Sequence, residues 1–262
     1  MNSLIKQNEH IETAEVLGAS VSLLTIDKLH EMIRVIISNN SKRVIPNHNL
    51  HSLYIFDKEK RMKDFYRLAD FVHIDGMSLV LLCKLLGKPV NREHRVTYVD
   101  WIKPLMNEAA KNEYRVFFIG SKKGVPDKAA DILKREYPNL QIETHHGYFD
   151  INSQENTDVI QKINNFQPHI LMVGMGMPRQ EYWILDNFKY LSANVILTAG
   201  ACMDYVAGEV PTPPRWMGKL GLEWLYRLLS EPNRMWKRYL VEPWYLLRLF
   251  LREILNTNRK KS

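Results

Sequence analysis

The stretch "HILMVGMGMPRQEYW", residues 169–183, decides the fold class, because it joins an apolar run to a helical pattern through glycines. The run "HILMVG" is typical of a fully buried strand. Gly174 and Gly176 then predict a turn, and Pro178 suits the first position of the helix that follows. Gln180 is therefore predicted to lie in the first helical turn.

This turn has two interpretations. It is either an ordinary connecting turn between a strand and a helix, with Glu181 as a capping acid, or a binding site for an anionic ligand. Glycines let a backbone approach a ligand closely, and the start of a helix offers unpaired N–H groups to phosphate. The second interpretation predicts a ligand that carries phosphate.

The same strand-then-helix pattern recurs along most of the chain. Short β-rich runs alternate with amphipathic helical patterns over the first 200 residues, and the connections between them are short. This alternation predicts an α/β domain with a mostly parallel sheet. The predicted strands are "RVIPN" (43–47), "FVHIDG" (71–76), "RVFFIG" (115–120), "QIETHHG" (141–147), "HILMVG" (169–174) and "NVILTAG" (194–200).

Length and composition narrow the class of protein. A chain of 262 residues that is 45% apolar can bury a full core. The N-terminus lacks the apolar segment of a signal peptide, and no stretch is apolar enough to span a bilayer. Cys83 and Cys202 lie in apolar context and are interpreted as free thiols of a cytosolic protein.

The last fifth of the chain differs in composition from the rest. Residues 209–262 contain eleven Lys or Arg against five Glu, which accounts for most of the net charge of +7, and four of the six tryptophans. The Gly- and Pro-rich stretch "GEVPTPPRW" (208–216) marks the change. We therefore predict an α/β core over residues 1–208 and a basic, Trp-rich helical appendage over residues 209–262.

The candidate binding site follows from the predicted sheet. Ligands of such sheets bind in the crevice beyond the carboxyl ends of the strands. Neither G-x-G-x-x-G nor G-x-x-x-x-G-K-[ST] occurs, which argues against a hydride-transfer enzyme and a P-loop NTPase. No C-x-x-C, H-E-x-x-H or Asp-x-Asp occurs either, so no metal is expected. The predicted strand ends carry Asn47, Asp75, Gly120, Gly147, Gly174 and Gly200.

A series of motifs then identifies a resemblance. In order, they are "IDGMSL", "LLGKP", "RVFFIGSKKGV", "YPNLQI", "HHGYF", "ILMVGMGMPRQEYWI", "GACMDYVAGEV" and "PPRWMGKLGLEWLYRLLSEPNRMWKRY". This series resembles the WecG/TagA/CpsF family of bacterial glycosyltransferases from about residue 16 to about residue 240. The resemblance implies a Rossmann-like core with helices on both faces of the sheet, and a C-terminal membrane-targeting appendage. It further implies metal-independent, inverting transfer of a sugar from a UDP-sugar to a sugar carried on a polyprenyl diphosphate.

Two branches of that family bear on the substrates. The segments "PNHNLHSLYIFDKEKRMKDFYRLADFVHIDGMSL" and "REHRVTYVDW" look closest to the xanthan-type GumM branch, which implies transfer from UDP-glucose to lipid-linked glucose in exopolysaccharide synthesis. The alternative branch transfers N-acetylmannosamine, or its uronic acid, to lipid-linked GlcNAc. Many members have threonine where this chain has Ile45, so a hydroxyl contact assigned to that threonine is absent here.

The chemistry assigns three catalytic candidates. Inversion needs a base for the acceptor hydroxyl, and Asp75 suits this role because it ends a buried strand at the crevice. Its alternative is an Asp-Gly turn. Arg95 matches the family arginine and would neutralise the leaving diphosphate, whereas the alternative is a solvated surface arginine. Asn47 would hold the donor sugar or the acceptor.

The remaining candidates would bind the nucleotide. Asp204 would accept hydrogen bonds from ribose hydroxyls or cap a helix, and Tyr148 and Phe149 would stack on uracil or belong to the core. Arginines of the appendage would fold back onto the diphosphate. The full set is Gly120, Gly174, Gly176, Pro178, Arg179, Gln180, Asp204, Arg215, Arg227, Arg234 and Arg238.

The appendage itself predicts the location of the protein. Trp244, Leu247, Leu251 and Ile254 share one helical face, with Arg248 and Arg252 along its flank. Such a helix is typical of one that lies in the headgroups of an anionic inner leaflet. Packing in a homo-oligomer is the alternative, and the aliphatic content argues against nucleic acid. A non-catalytic scaffold that binds nucleotide sugars remains the rival functional class.

Overall fold

The computed structural model describes residues 11–259; the side chains of Arg215, Lys219, Leu220, Arg234 and residues 256–259 lie outside that description. The strands in this range are β1 (Thr13–Val16), β2 (Ala19–Ser22), β3 (Arg43–Ile45), β4 (Asn47–His48), β5 (His73–Ile74), β6 (Arg115–Gly120), β7 (Gln141–His145), β8 (Ile170–Gly174) and β9 (Val195–Thr198).

The helices of the core follow the predicted pattern. They are α1 (Ile26–Ser38), α2 (Leu50–Lys58), α3 (Lys60–Tyr66), α4 (Met77–Leu85), α5 (Tyr98–Lys111), α6 (Val125–Glu136), α7 (Gln154–Phe166), α8 (Arg179–Asn187) and α9 (Cys202–Val206). The C-terminal helices are α10 (Arg215–Leu220), α11 (Glu223–Ser230), α12 (Pro232–Trp236) and α13 (Glu242–Arg259), with one π-helical turn, Lys237–Val241, between the last two.

The central sheet is five-stranded and entirely parallel, in the order β3-β9-β8-β6-β7. Successive side chains of a strand point to opposite faces, and β6 shows this directly. Val116 and Phe118 belong to the cluster that packs under α1, α5 and α6, whereas Phe117 and Ile119 pack under α3, α7 and α8. The predicted α/β class, with helices on both faces, is confirmed.

The predicted strand at residues 71–76 is not part of this sheet. Its β5 pairs in parallel with β4, with His73 opposite Asn47, in a separate two-stranded sheet. Pro46 explains the separation: it has no N–H to continue the ladder after β3, and its carbonyl accepts from the N–H of His73. The antiparallel hairpin of β1 and β2, with Thr13 opposite Ser22, has no counterpart in the sequence analysis.

The last helix packs on the core. Leu246 of α13 is buried in a cluster that the hairpin and α4 also form, and Leu249 and Phe250 pack against it. The carboxylate of Glu253 accepts from the N–H of Leu17 at 2.7 Å, and His51 pairs with Glu242 at 2.8 Å. None of the described helices combines the length and the apolarity that crossing a bilayer requires.

Candidate active site

The strand order creates a crevice between β6 and β8. The chain leaves β6 through α6 on one face of the sheet, and it leaves β8 through α8 on the other face. Strand connections therefore diverge at this point, which is where open α/β sheets bind their ligands. Residues 174–180, which join β8 to α8, lie on one wall of the crevice.

Two of the predicted glycines are required by the packing of the backbone. Gly120 and Gly174 are paired neighbours on β6 and β8, and a Cβ on Gly120 would overlap the backbone of Gly174. A Cβ on Gly174 would lie 2.5 Å from the carbonyl oxygen of Gly200. These glycines therefore bring the strand ends together, whether or not a ligand is bound.

Gly176 and Gly200 serve a different purpose. Their φ angles are +80° and +53°, in the left-handed region that favours glycine, and open space surrounds the position of a Cβ. Each N–H donates to Oε1 of Gln180, at 3.2 Å in both cases. One side chain thus joins the turn after β8 to the turn after β9.

The side chain of Gln180 is buried in the protein behind the crevice and does not point into the crevice itself. Pro178 is the N-cap residue, so the helix begins one residue later than predicted, at Arg179. Gln180 is 1% exposed, and its Nε2 donates to Oε1 of Glu181 at 2.8 Å. The predicted contact of Gln180 with a nucleotide would therefore be indirect, through the two glycine turns.

Glu181 is not a helix cap. Its side chain is 0% exposed, and its Oε2 has no hydrogen-bond partner among the described residues. Burial raises the pKa of this carboxyl to about 7. The sequence gives little sign of this, since a glutamate at the start of a helix is ordinarily exposed.

Arg179, the first residue of α8, contacts the loop that carries the two aromatic candidates. Arg179 Nη2 donates to the carbonyl of Phe149 at 2.7 Å. Phe149 is buried in the core, whereas Tyr148 is 71% exposed. Of the two predicted ring contacts, only Tyr148 is free to meet a ligand.

Asp204 is held by a residue that the sequence analysis did not single out. Ser121, directly after β6, donates through Oγ to Asp204 Oδ2 at 2.8 Å. Its φ of +58° is unusual for a serine and turns the chain sharply at the crevice. Asp204 lies in the first turn of α9, so the capping role and the ribose contact both stay predictions. The dipeptide Gly120-Ser121 at the end of a predicted strand could have indicated Ser121 as a site residue.

Asp75 lies half-buried at the end of β5, as predicted. Its Oδ2 accepts a hydrogen bond from Nδ2 of Asn49 at 3.3 Å. Asn49 is itself fixed, because its side chain caps α2 by accepting from the N–H of Ser52 at 3.0 Å. The Asp-Gly turn is also present, with Gly76 as the N-cap of α4. Asn49 is a further site residue that the sequence analysis missed, although "PNHN" presents it two residues after Asn47.

Asn47 is buried on β4, the strand that pairs with β5. Its Nδ2 donates to the carbonyl of Thr198 at 3.1 Å, and Tyr66 donates to the carbonyl of Asn47 at 2.7 Å. A carbonyl can only accept, so the amide nitrogen must face Thr198 and Oδ1 must face away from it. Oδ1 has no partner among the described residues.

Arg95 is not a solvated surface arginine. Its guanidinium donates to Asp100 at 2.9 Å and to Glu223 of α11 at 2.7 Å, and its side chain is mostly buried. Two carboxylates already balance its charge. Arg95 therefore ties the core to the C-terminal helices.

Two arginines of the C-terminal segment lie near the crevice. The Asp75 carboxylate is among the charges that act on both Arg227 and Arg238. Burial lowers the pKa of Arg238 below its ordinary value. For Arg227, burial is outweighed by Tyr205, Tyr239 and Asp75, so its pKa is raised. The predicted Arg215 and Arg234 lie on α10 and α12, and their side chains fall outside the described residues.

Residues 11–259 contain no cluster of three or more His, Cys, Asp or Glu side chains that could hold a metal ion. His145 and His146 are adjacent in the sequence and belong to no such cluster among the described residues. The rings lie 4.5 Å apart, and Nδ1 of His145 contacts the carbonyl of His146 at 2.8 Å.

Comparison with known proteins decides the family. Residues 14–260 match the model of the Glycosyl transferase WecG/TagA/CpsF family. The chain belongs to this family. Similar curated relatives are proteins of Staphylococcus aureus strains MW2, NCTC 8325 / PS 47 and COL, each named N-acetylglucosaminyldiphosphoundecaprenol N-acetyl-beta-D-mannosaminyltransferase. Each is 26% identical to this chain over 236 residues, which cover 89% of either protein.

Family membership gives Ile45 a structural context. Its side chain is completely buried in the cluster that includes Trp101 and Met203. A residue at this position points into the core of the glycosyltransferase fold. A threonine at this position, as the motif resemblance implies for other members, would place its hydroxyl in the core rather than in the open crevice.

Proposed function

We propose that this glycosyltransferase transfers N-acetylmannosamine from a UDP-sugar to GlcNAc on a polyprenyl diphosphate. The observation that carries this proposal is the similarity, over 89% of both chains, to enzymes whose name specifies that acceptor and that sugar. UDP-glucose and lipid-linked glucose, which the motif resemblance favours, receive no support from these relatives. They become the second substrate pair to be tested.

In the proposed reaction, Asp75 is the general base. Asn49 holds one carboxylate oxygen, which leaves the other to accept the proton of the acceptor hydroxyl. The hydroxyl oxygen then forms a bond to the anomeric carbon as the bond from that carbon to the UDP oxygen breaks. The bonding electrons leave with UDP, and the configuration inverts because attack and departure occur on opposite faces.

Negative charge that develops on UDP needs a positive partner. Arg227 and Arg238 are the best candidates, since both lie within electrostatic reach of Asp75. Arg95 is a weaker candidate because Asp100 and Glu223 already neutralise it. The diphosphate would thus bind only when the C-terminal helices are docked.

The C-terminal helices would also bring the enzyme to its lipid substrate. Trp244, Leu247 and Leu251 form an exposed stripe on α13, opposite the face that packs on the core, and Leu255 continues it. Such a stripe with flanking arginines suits the headgroup region of an anionic inner leaflet. Residues 209–262 are accordingly proposed as a peripheral membrane appendage, with homo-oligomer packing as the competing use.

The substrate assignment predicts a specific pattern of UDP release. With lipid-linked GlcNAc as acceptor, UDP-N-acetylmannosamine should release UDP faster than UDP-glucose or UDP-GlcNAc does. The measurement is coupled UDP detection over a panel of donors, repeated with lipid-linked glucose. A preference for UDP-glucose with lipid-linked glucose would replace the assignment. No release from any pair would favour the non-catalytic scaffold.

Activity is expected to survive chelation. Arginines would carry the charge of the leaving group, so EDTA should change the turnover by less than about 2-fold, well within the contribution of one weak interaction. A metal-dependent glycosyltransferase assayed in parallel confirms that the chelator works. Loss of turnover that magnesium or manganese restores would overturn metal independence.

Reversing two exposed charges on α13 should weaken membrane binding. Each basic residue near an anionic surface contributes about 1 kcal/mol, so Arg248→Glu with Arg252→Glu should strongly reduce cosedimentation with vesicles rich in anionic lipid. Turnover on a short-chain soluble acceptor should be unchanged. Deletion of residues 209–262 is a poorer test because it would uncover the core beneath Leu246.

The matched control carries the same charge change on the core. Lys134→Glu with Arg135→Glu alters two exposed residues of α6, and it should leave vesicle binding nearly intact. Equal loss of binding in both double variants would mean that net charge, rather than the α13 surface, governs association. Unchanged binding in the α13 variant, together with a change in oligomeric mass, would favour the oligomer.

A further inference from the structure

Glu181 is a buried acid that the proposed reaction does not use. It is 0% exposed: Gln180 donates to its Oε1, and its Oε2 has no partner among the described residues. A buried carboxyl without a charged partner costs stability, and an apolar side chain of similar size would avoid that cost. Its presence in the core therefore calls for a reason other than stability.

The hydrogen bonds of Gln180 supply that reason. Both Gly176 and Gly200 present N–H groups, which can only donate, so the amide oxygen of Gln180 must face them. The amide nitrogen must then face the other way, where Oε1 of Glu181 accepts its hydrogen bond at 2.8 Å. The two N–H groups set the orientation of the amide, and Glu181 supplies the described acceptor that holds its nitrogen in that orientation.

Flipping the amide would be harmful to the crevice. It would point the NH₂ group of Gln180 at two backbone N–H groups, and donors that face donors cannot bond. The turns after β8 and β9 would then lose the only side chain that joins them among the described residues. Both turns border the crevice in which the proposed nucleotide binds.

We propose that Glu181 is a positioning residue for the transfer reaction, because it orients Gln180 and thereby fixes the glycine turns that border the donor site. This inference rests on the proposed function for the identity of the donor. Glu181 itself touches neither the donor nor the acceptor. Its effect reaches the substrate through Gln180, Gly176 and Gly200.

Three variants separate this role from a structural one. Glu181→Gln retains an oxygen that can accept from Gln180, so its KM for the donor should stay within about 2-fold of the unmodified enzyme. Glu181→Leu removes the acceptor and should raise that KM about 3- to 10-fold, as expected for one lost hydrogen bond. Gln180→Glu combined with Glu181→Gln exchanges donor and acceptor, and should restore most of the loss.

In Glu181→Leu, thermal stability should be maintained or increased while activity falls. Burial raises the pKa of Glu181 to about 7, so at pH 8 the folded protein holds an ionised carboxylate in its interior. Glu181→Leu should therefore melt at the same or a higher temperature at pH 8. A purely structural residue would instead lose stability together with activity.

Amide hydrogen exchange tests the inference without any substrate. In Glu181→Leu, the amides of Gly176 and Gly200 should exchange faster, and in the exchanged pair of residues 180 and 181 their protection should return. Unchanged exchange in Glu181→Leu, or an unchanged KM, would overturn the positioning role. If the unmodified enzyme shows no turnover of UDP-sugars but the exchange pattern holds, the proposed function fails and the link between the turns stands.

Discussion

Asp75→Asn is expected to lower turnover by about 100- to 10,000-fold, the usual contribution of general acid–base catalysis. The amide can still bond to Asn49, but it cannot accept the proton of the acceptor hydroxyl. The fold should persist, because Asp75 is half-buried and its described contact with Asn49 involves only one oxygen. Binding of UDP should also persist, since Arg227 and Arg238 are unchanged.

The measurement is the turnover number with saturating donor and acceptor, together with calorimetric binding of UDP. Asp70→Asn is the matched control, since Asp70 is also a partly exposed acid and pairs with Arg43 at 3.2 Å rather than bordering the crevice. It should retain turnover within about 2-fold, as a surface ion pair contributes little. Turnover of Asp75→Asn within about 10-fold of the unmodified enzyme would remove Asp75 from the role of base.

His73→Phe is expected to stabilise the protein in mild acid. His73 is completely buried against Trp101 and Tyr98, and neither ring nitrogen has a hydrogen-bond partner among the described residues. Burial lowers its pKa from 6.5 to about 4, and the nearby Asp75 offsets this only in part. The unfolded chain therefore binds a proton between pH 6.5 and pH 4 that the folded chain does not.

The sign of the pH dependence follows from that difference. The contribution of neutral, buried His73 to the free energy of unfolding is complete above pH 6.5. It is lost as the pH falls toward 4, and the loss from His73 alone is about 3 kcal/mol. His48, whose pKa burial lowers to about 3, adds a loss of the same sign. Phenylalanine at position 73 cannot take up a proton, so the variant should lose less stability between pH 7 and pH 4.5 than the unmodified protein does.

Chemical denaturation at several pH values provides the measurement. Tyr98→Phe is the control, because it removes a buried hydroxyl without a described partner from the same cluster but no group that titrates in acid. It should shift stability equally at all these pH values. If His73→Phe shows the same acid loss as the unmodified protein, protonation of His73 does not contribute to acid unfolding.

The sequence by itself determined the fold class and the family. Apolar runs such as residues 115–120 and 169–174 are short, continuous and bounded by glycine, so their local pattern is enough to predict buried parallel strands. The position of Asp75 at the end of β5 was predictable for a similar reason, since the end of a strand is fixed by its own residues. The motifs from residue 75 to residue 240 indicated the family to which the chain belongs.

Only the tertiary structure decided what each candidate side chain contacts. Gln180 bonds to Gly200, twenty residues away, and Arg95 pairs with Glu223, which is 128 residues away. No periodicity or spacing encodes such pairs, because they depend on how separate elements pack. The same reason explains why β5 pairs with β4 and not with the central sheet, and why Glu181 is buried although it lies at the start of a helix. The local sequence pattern determines where helices and strands form, whereas long-range packing determines what they contact.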